Sequence, residues 1–143
     1  MIEGVIFTPL NIIETEGGDV LHAMKINDPG FLGFGESYFS AINFDAIKGW
    51  KLHHEMVLNL VVPIGSIKFV VFDNRKGSKT HGQFCSYIVS RENYGRLTVP
   101  PMLWLAFKGL DFKESLLLNI ASIPHDPKES ETKKLNEIYY DWS

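Results

Sequence analysis

Short apolar runs with a period of two are the feature that most restricts what this chain can fold into. The runs are rich in Val, Ile, Phe and Tyr, and clusters of Gly, Pro and Asn separate them. Such runs are typical of β-strands, and ten of them in one small chain predict an all-β sandwich or barrel. The ten segments are 4–13, 21–26, 35–43, 46–54, 58–66, 67–74, 82–90, 95–100, 103–110 and 115–123.

Turn residues and one different pattern complete the predicted organisation. PIGS at 63–66 has the pattern of a tight hairpin, and DNRKGSKTHG at 73–82 is a longer polar loop. Near the end of the chain, Leu135, Ile138 and Tyr139 follow Pro127 at three- and four-residue spacing. This spacing predicts one short C-terminal helix that packs over the barrel or over a neighbouring subunit.

Size, charge and cysteine content limit the class of protein. The chain has 143 residues, so residues 1–143 are expected to form a single domain. Lys and Arg number 14 against 17 Asp and Glu, and a net charge of -3 provides no basic surface for nucleic acid. The single cysteine, Cys85, excludes an internal disulfide, and no apolar run approaches the ~18 residues of a membrane span. We therefore expect a soluble, cytoplasmic protein.

The segment KGWKLHHEM at 48–56 contains the only adjacent histidines of the chain. Neighbouring residues of a strand point to opposite faces, so only one of His53 and His54 can face the interior. The same alternation predicts that Lys51, His53 and Glu55 share a face. The pair could instead be ordinary polar strand residues whose hydrogen bonds are satisfied by their neighbours.

Five segments in a fixed order resemble the RmlC-like cupins, the group that contains the dTDP-4-dehydrorhamnose 3,5-epimerases and the dTDP-sugar 3,4-ketoisomerases. The resemblance spans roughly residues 30–142 and implies a cupin jelly roll, a β-barrel or sandwich with a short C-terminal helix. The segments are FGESY (34–38), IKGW (47–50), IGSIKFVVFDNRKGSKT (64–80), VSRENYGRLTVPPMLWLAF (89–107) and the closing stretch from HDPKE (125–129) to YDW (140–142).

The resemblance implies an epimerase or isomerase that acts on a dTDP-4-keto-6-deoxyhexose in the synthesis of surface polysaccharide such as O-antigen. The alternatives are a non-catalytic cupin that binds a nucleotide sugar or serves as a partner subunit. By the same resemblance, the metal-binding positions of other cupins fall on Lys51, His53, Leu58 or Asn59, and Leu105. These residues cannot form a complete shell of nitrogen and oxygen ligands, so we expect no metal and no cofactor.

This chemistry requires a base, a group that stabilises an enolate, and an acid. His53 is the predicted base, and Lys51 is the predicted enolate-stabilising cation. In the ketoisomerases a His-x-His pair occupies the positions of Lys51 and His53, so the first histidine is replaced here. Tyr38 or Tyr139 is the predicted acid.

The remaining candidates are predicted to hold the substrate. Cations suit a diphosphate, an aromatic ring and a carboxylate suit a thymine base, and amides inside apolar strands suit a polar cavity. The candidates are Lys48, Arg75, Arg96 and Lys108 for phosphate, Phe34 and Glu36 for the base, Asn59 and Asn119 for the cavity, and His54. The resemblance also implies a homodimer formed by exchange of the N-terminal segment 4–13.

Overall fold

The computed structural model describes residues 1–143 and is built almost entirely from antiparallel strands. Two 3-10 turns, Pro127–Glu129 and Leu135–Glu137, are its only helical segments, and neither is long and apolar enough to cross a membrane. The strands are β1 (Ile6–Pro9), β2 (Ile12–Ile13), β3 (Val20–Leu21), β4 (Glu36–Ile42), β5 (Ile47–His53), β6 (Leu58–Ile64), β7 (Ser66–Phe72), β8 (Phe84–Ser90), β9 (Gly95–Val99), β10 (Trp104–Gly109), β11 (Ser115–Ala121) and β12 (Ser130–Thr132).

Ten of the strands form two five-stranded sheets that enclose the main core. The first sheet has the order β1-β9-β6-β11-β4, and the second has the order β12-β5-β10-β7-β8. Alternate residues of each strand point into the space between the sheets, as Leu58 and Leu60 do on β6 and Phe69 and Val71 do on β7. The prediction of an all-β sandwich from period-two alternation is therefore confirmed.

The C-terminal segment covers the outer face of the second sheet, as predicted, but not as an α-helix. Trp50 of β5 is fully buried there, and its indole N–H donates to the carbonyl of Ile138 at 3.1 Å. Ile138, Tyr140 and Trp142 pack against this cluster, whereas Tyr139 is 83% exposed. Residues 138–142 contact the sheet with a period of two because they run extended along it, and the predicted short helix is present only as the 3-10 turns Pro127–Glu129 and Leu135–Glu137.

A tight turn at Gly65 joins the two sheets at the position of the predicted hairpin. Gly65 links β6 to β7 with φ of +86°, and a side chain there would overlap Ser115. The tight turn is confirmed, but β6 and β7 lie in different sheets and do not pair with each other. The turn residues set how sharply the chain reverses, whereas packing decides which strands pair.

The polar loop at 73–82 is organised around one buried carboxylate. Asp73 is fully buried and accepts hydrogen bonds from the Arg75 guanidinium at 2.9 and 3.0 Å, and from Ser78 and Thr80 at 2.6 Å each. Arg75 also donates to the carbonyl of Glu3, which ties the N-terminal segment to the loop. Burial alone would raise the pKa of Asp73, but these donors hold it well below its usual range.

We expect Asp73→Asn to lower the free energy of unfolding by about 2–4 kcal/mol at pH 7, because it removes the charge that the loop donors share. The depressed native pKa means that this stabilisation is present above pH 3.8, the ordinary pKa, and is lost as pH falls below it. Urea denaturation at pH 7 and pH 3 measures both effects.

Asp19→Asn is the matched control, because Asp19 forms only a surface ion pair with the half-exposed Arg91. That variant should lose less than about 1 kcal/mol. Equal losses in the two variants, or a loss for Asp73→Asn that does not shrink at pH 3, would contradict the assignment.

Candidate active site

A cavity of about 180 Å³ lies between the two sheets, where β4, β6 and β11 of the first sheet face β5 and β10 of the second. Six of its 12 lining residues are hydrophobic, and its polar groups come mainly from the edge strand β4 and from β5. The lining residues are Tyr38, Ser40, Lys48, Gly49, Lys51, His53, Leu58, Leu60, Leu105, Phe107, Leu117 and Asn119.

A β-bulge in β5 brings two lysines to this cavity. The pairing of β5 with β10 shifts by one residue, so that Gly49 and Trp50 together oppose Ala106. Gly49 is required there because a side chain would overlap Ala106. Lys48 and Lys51 consequently both line the cavity, although strict alternation would place residues three apart on opposite faces.

His53 is held by a carboxylate from the C-terminal segment. It is 7% exposed, and its Nδ1 is hydrogen-bonded to Oε1 of Glu129, which is also 7% exposed. The other oxygen of Glu129 accepts from the backbone N–H groups of Glu55 and Met56, each at 3.2 Å. Burial alone would raise the pKa of Glu129, but the bonds from His53 and the two amides lower it, so the carboxylate is ionised at neutral pH.

This pairing determines which nitrogen of His53 can react. An ionised carboxylate accepts but cannot donate, so Nδ1 carries the proton of the neutral imidazole. Nε2 has no protein partner and is the nitrogen left with a free lone pair beside the cavity. An imidazole whose tautomer and orientation are fixed in this way by an acidic neighbour is chemically able to accept a proton at Nε2.

Glu129 was missed by sequence reasoning, which treated residues 125–129 only as part of the closing motif. Glu129 lies 76 residues from His53, and only the pairing of β12 with β5, in which Ser130 opposes His53, brings them together. Locally, the sequence DPKE shows only the start of a turn, in which the Asp126 carboxylate accepts from the backbone N–H of Lys128 at 2.9 Å and caps Pro127–Glu129.

Two lysines lie at the same cavity as His53. Lys48 is anchored to the carbonyl of Ala41 at 2.6 Å and to the Ser40 hydroxyl at 3.3 Å. Lys51 is half-buried, and its side-chain ammonium forms no hydrogen bond or ion pair within the protein. One unpaired ammonium, one anchored ammonium and the imidazole of His53 therefore face the same space.

The two adjacent histidines point to opposite faces of the chain. Lys51 and His53 share the cavity face, as alternation predicted, whereas His54 points outward and pairs with Glu131 at 3.0 Å. The prediction is wrong for Glu55, because β5 ends at His53 and Glu55 is exposed beyond it.

Two predicted substrate residues instead hold a loop on the outer face of the first sheet. Arg96 is fully buried and donates to the carbonyls of Ala23 and Pro29 at 2.7 and 2.9 Å. Asn59 donates to the carbonyl of Gly30 at 3.0 Å. Both side chains point away from the cavity, since their positions on β9 and β6 alternate with those that face inward.

The structure leaves five further candidates outside the cavity lining. Arg75 belongs to the polar loop, and Lys108 binds the carbonyl of the C-terminal Trp142 at 3.0 Å. Phe34 is 64% exposed on another surface, and Tyr139 is exposed. Glu36 lies on β4 two residues before Tyr38.

Of the candidates, the structure brings together Tyr38, Lys48, Lys51, His53 and Asn119 at the cavity.

Comparisons with known proteins identify chains of similar sequence and fold. The chain is 36% identical to a dTDP sugar isomerase from Desulfovibrio desulfuricans G20, over 93% of this chain and 85% of that one, with a TM-score of 0.91. A dTDP-4-dehydrorhamnose 3,5-epimerase from Elizabethkingia anophelis NUHP1 superposes with a TM-score of 0.83 over 99% of this chain and 82% of that one, at 18% identity, and this likeness shows the fold.

A curated relative has a more distant sequence. It is described as a probable low-salt glycan biosynthesis epimerase of Haloferax volcanii, and it is 26% identical over 100 residues. The match covers 69% of this chain and 64% of the relative, so the chain spans less than two thirds of that protein's length. No family model matches the chain.

Proposed function

We propose, from the premise that this chain belongs to the RmlC-like cupin family of dTDP-sugar isomerases, that it is an epimerase or isomerase of a dTDP-linked 4-keto-6-deoxyhexose. The observation that carries the proposal is His53, paired with Glu129 on one nitrogen and free on the other at a cavity that also holds Lys51. We place the reaction in the synthesis of surface-polysaccharide sugars such as those of O-antigen, and we place the protein in the cytoplasm.

The side chains support a reaction that uses proton transfer alone. His53 Nε2 removes a proton from a carbon next to the 4-keto group, and the C–H electrons form the double bond of an enolate while the carbonyl electrons move to oxygen. The Lys51 ammonium stabilises that oxygen, and Glu129 stabilises the imidazolium. Return of a proton from Tyr38 to the opposite face of the same carbon completes epimerisation, and the tyrosinate and imidazolium that remain are reset by proton exchange with solvent. Return of a proton from His53 to the former carbonyl carbon, while the proton of the neighbouring hydroxyl passes to the enolate oxygen, completes keto-group migration instead.

The available donor set favours this metal-independent route. No group of three His, Cys, Asp or Glu side chains in the structure could hold a metal ion. The one imidazole at the cavity is already bonded to the one nearby carboxylate. The anchored ammonium of Lys48, at the wall of the same cavity, is then suited to a phosphate of the nucleotide.

Incubation of the protein with a dTDP-4-keto-6-deoxyhexose in deuterium oxide tests the proposal. We expect the sugar to gain one or more mass units, because a carbon-bound proton is exchanged through the base. Binding of the sugar nucleotide with no mass gain would overturn the enzymatic function and would favour a non-catalytic binding protein or partner subunit. Stabilisation by free hexoses but not by dTDP in a thermal shift would contradict the nucleotide preference.

A homodimer is part of the same proposal. β1 pairs with β9 of its own chain and forms one edge of the first sheet. At the other edge, apolar side chains on β4 and next to it remain exposed. They are Ile26, Leu32, Phe34 and Phe39, which are 81%, 71%, 64% and 63% exposed. Large apolar side chains exposed at an open sheet edge are often covered by a second molecule.

Light scattering after chromatography at micromolar concentration should therefore give twice the chain mass, and Phe39→Glu should shift it to the monomer mass. Phe112→Glu is the control, since Phe112 is 87% exposed on the loop between β10 and β11 and should leave the dimer intact. A monomeric wild-type protein would contradict the proposal.

A further inference from the structure

The buried amide of Asn119 has an arrangement that the proposed chemistry does not explain. Asn119 lies on β11 directly opposite Tyr38 of β4, and it is 2% exposed at the cavity wall. Its Nδ2 donates to the Tyr38 hydroxyl oxygen at 3.0 Å, while its Oδ1 is buried and has no hydrogen-bond partner. Leu117 precedes it on the inner face of the strand, and Leu60 opposes it on β6.

The direction of this hydrogen bond determines where the hydroxyl proton of Tyr38 points. Because the Tyr38 oxygen accepts from the amide, its own O–H proton points away from Asn119. Tyr38 is 46% exposed and lines the cavity, so that proton is available to a bound molecule. A tyrosine held in this way is prepared to donate a proton, as the acid of the reaction must do.

The unpartnered oxygen indicates a ligand group. Buried polar atoms of folded proteins almost always have a partner, and an exception at a binding cavity indicates that the partner comes with the ligand. A carbonyl oxygen can only accept, so that partner must be an O–H or N–H donor. A hydroxyl group on a hexose ring meets this requirement, whereas a keto or phosphate oxygen does not.

We propose, on the basis of the function proposed above, that Asn119 is a positioning and specificity residue. Its Nδ2 fixes Tyr38 as a proton donor, and its Oδ1 accepts a hydrogen bond from a ring hydroxyl of the sugar. The two halves of one amide thereby couple recognition of a hydroxylated hexose to the orientation of the acid.

Asn119→Leu should change KM and kcat for separate reasons. Leucine suits this position because Leu60 and Leu117 are its neighbours. Loss of the hydroxyl contact should raise KM about tenfold, and loss of the bond to Tyr38 should lower kcat about tenfold, each the usual effect of one hydrogen bond. Tyr38→Phe should lower kcat by roughly 10²-fold with little change in KM. Asn119→Asp keeps the size but supplies only acceptors, so it should draw the phenol proton away and lower kcat.

The double variant distinguishes positioning from a structural role. In a Tyr38→Phe background, Asn119→Leu should still raise KM but should no longer lower kcat, because no proton remains to be oriented. Additive losses of kcat, or wild-type kinetics in Asn119→Leu, would overturn the proposal. Thermal unfolding of each variant accompanies the kinetics, and Asn119→Asp provides the test if Asn119→Leu does not fold.

Binding measurements keep this inference separate from the proposed reaction. If the wild-type protein shows no deuterium exchange, the proposed reaction fails, but the acceptor role of Asn119 still predicts an affinity change. Asn119→Leu should then bind a dTDP-hexose about tenfold more weakly while its affinity for dTDP alone stays the same. Equal losses for both ligands, or no loss for either, would overturn the inference.

Discussion

Replacing His53 with asparagine should lower the rate of deuterium incorporation into a dTDP-4-keto-6-deoxyhexose by roughly 10²–10⁴-fold, the contribution usual for a positioned general base. Asparagine can still hydrogen-bond Glu129 through its amide N–H, but it has no nitrogen lone pair that can take a proton. Substrate affinity should change little, because the interaction that is lost forms with the reacting proton. Mass spectrometry of the sugar nucleotide in deuterium oxide measures the rate.

His54→Asn is the matched control for this experiment. The two histidines are adjacent in the chain, but His54 is exposed and pairs with Glu131 outside the cavity. We expect its exchange rate to stay within about twofold of wild type, since surface substitutions rarely alter a distant site. Similar losses in the two variants would show that His53 is not the base.

Glu129→Gln should lower the exchange rate by roughly 10–100-fold, the usual effect of removing a charged partner behind a functional histidine. Glutamine can accept from Nδ1 but cannot stabilise the imidazolium that forms when Nε2 takes a proton. The same exchange measurement at saturating substrate separates this loss in kcat from any change in KM.

The same variant should also change how stability depends on pH. The folded-state pKa of Glu129 is lowered from 4.5, so the carboxylate contributes stability above about pH 4.5 that is lost as pH falls through the folded-state value. The difference in free energy of unfolding between wild type and Glu129→Gln should therefore be largest near pH 7 and shrink below pH 4.5. Urea denaturation of the two proteins at pH 7 and below pH 4.5 measures this difference.

Glu131→Gln is the control for both effects, because Glu131 lies two residues away in β12 and is 52% exposed. Its exchange rate and its stability should remain close to wild type, within about 0.5 kcal/mol for the latter. If Glu129→Gln matched this control in rate and in pH dependence, the pairing with His53 would have no catalytic role.

Part of the site could be predicted because its geometry is local. Lys51 and His53 share the cavity face through the alternation of a single strand, which two residues of sequence determine. Lys48 reaches the same cavity through the bulge at Gly49, and a glycine inside a strand pattern is a visible but ambiguous signal of a bulge. The face on which a side chain lies can thus be predicted from sequence wherever the strand is regular.

The missed residue and the misplaced ones depend on contacts between distant segments. Glu129 meets His53 only because β12 pairs with β5, and Arg96 is buried on the outer face of its sheet only because the loop at 23–30 covers that face and accepts its hydrogen bonds. The C-terminal spacing predicts a helix, but Ile138 belongs to an extended stretch that packs on an apolar sheet face. That face is built from other strands, so local spacing does not reveal it.

The amino-acid order alone determined the all-β class, the inward positions of the strands and the shared face of Lys51 and His53, because alternation and turn chemistry act within a few residues. Only the tertiary structure decided that Glu129 supports His53 and that Asn119 supports Tyr38. Both pairs join segments about 80 residues apart, and the free energy that selects such contacts comes from packing the whole barrel rather than from any local preference.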